Sequence, residues 1–140
     1  MNCHLIEKLQ DADMFDVIEW GLPKGGLASN TVKSQDRVFS VQIPRDPLSL
    51  EVKVDGDMTE QAHSVFSQLK KAMEAAGGSL ADVAQLQMFI IEASDAPAMN
   101  AVYKEYFSEP YPNRATVVVK ELLRPNMRIE IVVQACLGDA

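Results

Sequence analysis

Two ionisable residues, Arg114 and Glu130, stand inside stretches that otherwise read as β-strand. The first is Pro112-Asn113-Arg114-Ala115-Thr116-Val117-Val118-Val119-Lys120 and the second is Arg128-Ile129-Glu130-Ile131-Val132-Val133. Both are rich in β-branched residues, alternate in polarity and lack an interior Gly or Pro. A two-residue period puts Arg114, Thr116, Val118 and Lys120 on one face of the first strand. It puts Arg128, Glu130, Val132 and Gln134 on one face of the second. A carboxylate embedded in Ile-Glu-Ile-Val-Val is costly to bury unless something pairs with it, which makes Glu130 a candidate for function. The chemistry open to such residues is anion binding by a guanidinium and proton transfer by a carboxyl. From the residues alone the favoured reading is an ion pair tying neighbouring strands, because structural pairs imitate sites. The functional reading stands beside it.

The other reactive side chains suggest less. Cys3 and Cys136 lie at opposite ends, without a CxxC or a His cluster. That usage fits a reducing cytosol and points to neither a disulfide scaffold nor zinc. Cys136 ends an apolar strand and reads as a small hydrophobe. With only His4 and His63 in the chain, no metal site is expected, and His63, off the apolar stripe of its helix, reads as solvated. Asn100 reads by default as a surface amide. Gly25-Gly26 is too little glycine for a phosphate loop, and no HExxH, GxSxG, GxxxxGK[ST] or GxGxxG pattern occurs.

The elements that must position Arg114 and Glu130 follow from periodicity. Met14 to Trp20 predicts a short first strand, and Ser29 to Val32 and Arg37 to Ile43 predict two more around a polar turn. Residues 44–57 read as loop, with Leu50 to Val54 strand-like. Met58 to Ala76 is the clearest helix. Asp57 caps it with Glu60 reaching back, Ala62, Phe66, Leu69, Met73 and Ala76 form an apolar stripe, and Gly77-Gly78 stops it. Ser79 to Asp82 signals a single capped turn before a strand from Val83 to Ile91. A second helix runs from Ala96 to Phe107, capped by Ser94 or Asp95, with Met99, Val102, Tyr103 and Phe107 as its buried stripe. Glu121 to Arg128 reads as an exposed turn.

This order of strands, helix, strand, helix and two strands is α+β, with one sheet covered on one face by two helices. Apolar residues on both sheet faces leave one face uncovered, and oligomerisation is the economical way to cover it. The 140 residues suit a single domain spanning 1–140, with 47% hydrophobic and 24% charged residues. A formal net charge of −7 argues against a nucleic-acid partner. No basic run, bilayer-length apolar stretch or secretory leader is evident, so no membrane partner is expected and a cytoplasmic location is.

Five blocks in order carry a resemblance. They are Val38-Phe39 with Gln42-Ile43-Pro44-Arg45-Asp46, Ala75-Ala76-Gly77-Gly78-Ser79-Leu80-Ala81-Asp82-Val83, Asn100-Ala101-Val102-Tyr103-Lys104-Glu105-Tyr106-Phe107, Pro112-Asn113-Arg114 and Ile129-Glu130-Ile131. Colinear over about residues 26 to 136, they resemble the RidA (YjgF) family. The resemblance implies a chorismate-mutase-like fold and a homotrimer with a barrel core and three intersubunit clefts. It implies hydrolysis of reactive imino or enamino acids, such as 2-iminopropanoate and 2-iminobutanoate, to 2-oxo acids and ammonia, without metal or organic cofactor. Carried over by position, Arg114 would hold the substrate carboxylate and Glu130 would position the attacking water. Thr116 would line the cleft with its backbone, and Asn100 would lie near the site. Two departures stand out. The family's Gly-Pro-Tyr-Ser corresponds to Gly26-Leu27-Ala28-Ser29, so its tyrosine is missing, and a family glycine is Val41. These imply a different substrate, and 2-aminomuconate-type deamination within the same family is one alternative. A non-catalytic trimer that binds carboxylate metabolites or partner proteins is another.

Overall fold

The structure, a computed structural model, describes residues 14–138, so Cys3, His4 and the N-terminal leader question lie outside it. Its strands are β1 (Asp16–Val17), β2 (Thr31–Ser34), β3 (Arg37–Gln42), β4 (Val83–Ile90), β5 (Asn113–Val118) and β6 (Ile129–Cys136). Helix α1 spans Met58–Ala75 and helix α2 spans Ala96–Tyr106. The strands form one mixed sheet in the order β1-β2-β3-β6-β4-β5. Only β4 and β5 run parallel, joined by α2, while β6 threads antiparallel between β3 and β4. This is the α+β architecture expected from the sequence.

Local chemistry sets the boundaries. Asp57 caps α1 by accepting from the Glu60 backbone N–H at 3.0 Å. The reciprocal arm is absent, and the Glu60 side chain instead lies against Gly56. At the other end Gly77 adopts φ +93°, and the Gly78 N–H reaches back to the Met73 carbonyl at 2.9 Å, closing the helix through a left-handed residue. The Ser79–Asp82 capping box forms in full. Neither Ser94 nor Asp95 caps α2 through its side chain. Asp95 pairs with Arg128 at 3.1 Å, which ties the start of α2 to the approach to β6. The first strand shrinks to two residues, and the Leu50–Val54 strand reduces to one bridge between Arg45 and Val52.

Both helices pack on the same sheet face. Phe66, Leu69 and Met73 of α1 and Met99 and Val102 of α2 lie at or near zero exposure against Leu86, Met88, Ile90, Ile129, Ile131 and Val133. Phe66 is at the centre, with edge-on rings of Tyr103 and Phe107 at 6.1 and 5.8 Å. The opposite face, carrying Phe39, Val41, Phe89, Val117 and Val132, has no layer over it among the described residues of the single chain. Glu121 to Arg128 is less exposed than its sequence suggests, since Met127 is buried. Gln61 clamps this segment by accepting from the Arg128 N–H at 2.7 Å and donating to the Asn126 carbonyl at 2.9 Å. Among the described residues no helix is long and apolar enough to cross a membrane.

Removing Phe66 should leave a cavity that its ring neighbours cannot fill. Phe66→Ala is expected to lower stability by about 3–5 kcal/mol in urea unfolding. A loss well under 1 kcal/mol would place the core elsewhere.

Candidate active site

Arg114 opens the edge strand β5. The parallel crossover from β4 lays α2 beside it, and on that helix Asn100 and Tyr103 are one turn apart on the same side. Arg114 Nη1 donates to Asn100 Oδ1 at 2.9 Å, and its guanidinium carbon lies 4.7 Å above the centre of the Tyr103 ring. Tyr103 is itself fixed, 6% exposed and stacked on Phe107 at 4.8 Å with 18° between the planes. Burial pushes the Tyr103 phenol up, and the Arg114 charge opposes that shift. Among the described residues no carboxylate pairs with Arg114. Here is an oriented, exposed cation without an internal counter-ion. Thr116 follows two residues on, on the same face.

Glu130 sits elsewhere. Its cross-strand neighbour on β4 is Phe89, whose own neighbour on β5 is Val117. The carboxyl therefore lies in an apolar row on the sheet face that neither α1 nor α2 covers. Burial alone holds it above the usual carboxylate range. Arg114, by contrast, is in register with Leu86 on the helix-covered face. The two residues are on opposite faces of the sheet, and β4 separates their strands. A strand-tying ion pair within one chain is thus excluded, and so is a shared site within one chain.

Asn100 is no idle surface amide, since it holds the arginine directly. Val41 and Leu27-Ala28, the departures from the family pattern, are exposed, with Val41 in register with Val132 on the bare face. Cys136 proves exposed on that face, in register with Arg37, and is no buried hydrophobe. His63 is half-buried. It contacts the Tyr106 hydroxyl at 3.0 Å and Glu105 at 3.2 Å, and these contacts correct its reading as a solvated side chain. A cavity of about 270 Å³ between α1 and residues 44–55 includes His63, Arg45 and Gln68 but neither Arg114 nor Glu130. Tyr103 was legible only as a core residue, although the Asn100-Tyr103-Phe107 spacing already placed it beside the amide.

The sequence pattern of the Endoribonuclease L-PSP family matches residues 25–137. The chain belongs to that family. Within it, a RidA from an Antarctic Psychrobacter is 33% identical, covering 87% of this chain and 99% of that one with a TM-score of 0.77. The family resemblance and the fold it implied are therefore both met. A relative from Dermatophagoides farinae named 2-iminobutanoate/2-iminopropanoate deaminase is 41% identical over 78 residues, 56% of this chain. The 3-aminoacrylate deaminase RutC of Acinetobacter baylyi is 42% identical over 76 residues, 54% of this chain. Each of these two matches spans 60% of the relative's length.

A carboxyl whose pKa is raised on folding penalises the folded state once it ionises. The penalty is absent below the unfolded value, grows as pH rises between the unfolded and folded values, and is complete above the folded one. In the separate subunit, where Glu130 meets no cation, Glu130→Gln should therefore melt higher than wild type at pH 7–8, with the gap closing as pH falls toward about 4. A Gln variant that melts lower at neutral pH would mean that the ionised carboxylate has a stabilising partner.

Proposed function

We propose that this protein is an imine or enamine deaminase acting on small carboxylate-bearing substrates, working as a homotrimer of single-domain subunits spanning 1–140. One observation carries the reading. Arg114 is held by Asn100 and Tyr103 with no counter-ion among the described residues, while a carboxyl with a raised pKa lies on the other sheet face. The exposed arginine is free to take an anion from outside, and in this reading another copy brings a glutamate to it. The bare apolar face supports an assembly in which Glu130 of one copy meets Arg114 of the next. The names of the mite and Acinetobacter relatives support the chemistry.

In this reading the Arg114 guanidinium grips the substrate carboxylate bidentately, with Asn100 fixing its edge. Thr116 lines the same cleft. Glu130 accepts a proton from water as the oxygen adds to the imine carbon, then returns a proton to nitrogen. The resulting carbinolamine passes its hydroxyl proton through Glu130 to nitrogen as the carbon–nitrogen bond breaks, leaving a 2-oxo acid and ammonia. A carboxyl that burial holds above the usual carboxylate range suits a group that must both take and give a proton. Small imines already hydrolyse in water, so positioning is enough and no metal, organic cofactor or activated nucleophile is needed. Nucleic acid is a poor partner for a chain of net charge −7, whatever the family's name suggests. The finer substrate we propose is a 2-iminopropanoate- or 2-iminobutanoate-type acid, with 2-aminomuconate as the dicarboxylic alternative that Ala28 and Val41 leave room to test.

Imines generated in situ by an amino-acid oxidase, with small, branched, aromatic and dicarboxylic members, should release ammonia faster with wild type than without. Arg114→Ala and Glu130→Gln should each lose roughly 10²–10⁴-fold of that acceleration. Wild type no faster than Arg114→Ala on every member would leave a carboxylate-binding or partner-binding trimer as the better account. Sedimentation should give a species of about 46 kDa, three times the 15.4 kDa chain. A stable monomer at micromolar concentration would remove the shared cleft altogether.

A further inference from the structure

We propose that Tyr103 is a positioning residue for carboxylate binding, acting through the electron-rich face of its ring on Arg114; this rests on the reading of Arg114 as the carboxylate anchor. Arg114 begins an edge strand whose residues are all exposed, so nothing around it confines a long side chain by packing. Two contacts supply the confinement. The Asn100 amide oxygen takes one N–H of the guanidinium in its plane, at 2.9 Å. A single bond of that kind leaves the plane free to turn about the donor–acceptor axis. The Tyr103 ring, 4.7 Å beneath the guanidinium carbon, removes that freedom, because a cation over an aromatic face is held along the normal to the ring.

The platform can do this because it does not move. Tyr103 is stacked on Phe107, and Phe66 meets it edge-on at 6.1 Å with 66° between the planes. Tyr111, on the loop leading into β5, lies 5.9 Å away and is tilted by 34°, closing another side. Amide and ring sit three residues apart on α2, so one helix face delivers both restraints to one side chain. The remaining N–H groups of the guanidinium stay available to a carboxylate. A residue that only filled the core could be any apolar side chain of similar size. A residue that orients a cation must keep a negative π face.

The two roles separate when the ring's charge distribution is changed without changing its shape. Phenylalanine, 4-fluorophenylalanine and 3,4,5-trifluorophenylalanine placed at position 103 keep the ring but progressively weaken its negative face. Binding of pyruvate and 2-oxobutanoate to the purified full chain is measured by calorimetry, alongside melting temperatures, with Arg114→Ala and Tyr103→Leu as controls. Tyr103→Phe should bind within about twofold of wild type, and affinity should then fall stepwise to about fivefold weaker at three fluorines, with melting temperatures level across the series. Tyr103→Leu should bind at least as weakly as the trifluorinated protein. Equal affinity across the fluorinated series, with Arg114→Ala unable to bind, would overturn the role of Tyr103 while sparing that of Arg114. If Arg114→Ala binds like wild type, or wild type binds neither acid, the reading beneath it falls first.

Discussion

Strand parity is the constraint on which everything else here depends. In a pleated strand each successive side chain changes face, and the registers among β4, β5 and β6 carry that parity across the sheet. Ile129, Ile131 and Val133 meet the helices, so Glu130 and Val132 must face away from them. Arg114, paired with Leu86, must face the helices. No rotamer can bring the guanidinium of one residue to the carboxyl of the other through a sheet. The same parity leaves Phe39, Val41, Phe89, Val117 and Val132 on a face that two helices cannot also cover. One geometric rule thus separates the two chemical groups and creates the apolar surface on which a second copy would reunite them.

The electrostatics are consistent with that division. A carboxyl set among Phe89, Val117 and Val132 loses water without gaining a cation, and its proton affinity rises accordingly. Such an arrangement costs stability and would be an unexplained defect in an isolated subunit. Arg114 shows the complementary condition. It has a hydrogen bond and an aromatic platform, which orient it, but among the described residues no anion that would occupy it. The buried polar network of β2 and β3 differs in kind. Asn30 Oδ1 accepts from Trp20, Thr31 and Gln42, at 2.9, 2.6 and 3.1 Å, so those polar groups satisfy each other and need nothing further.

Much of this was legible in the residues. The α1 stripe through Phe66 and Leu69, the Gly77-Gly78 stop, the Ser79–Asp82 box and the faces of Arg114 and Glu130 all follow from patterns within a few residues. What escaped depends on distant partners. Asp95 looked like a helix cap because Arg128, thirty-three residues away, is invisible to a local reading. Cys136 reads as a small hydrophobe because its neighbours are apolar, yet its parity turns it, exposed, to the bare face. The relation between Arg114 and Glu130 needed β4 to be placed between their strands, and no local pattern says that a strand formed earlier in the chain will lie there. Tyr103 was identified as core, which it is. Its second task became visible only when the crossover set α2 beside β5.

The claim that a working site takes Arg114 from one chain and Glu130 from another is tested most directly by mixing subunits. Arg114→Ala and Glu130→Gln chains, each nearly inactive alone, are unfolded together, refolded at equal concentrations and assayed for ammonia release. Random assembly should restore about one quarter of the wild-type rate, because that share of clefts receives both intact residues. Mixed trimers with no more activity than their two parents would show that Arg114 and Glu130 do not serve one site between chains.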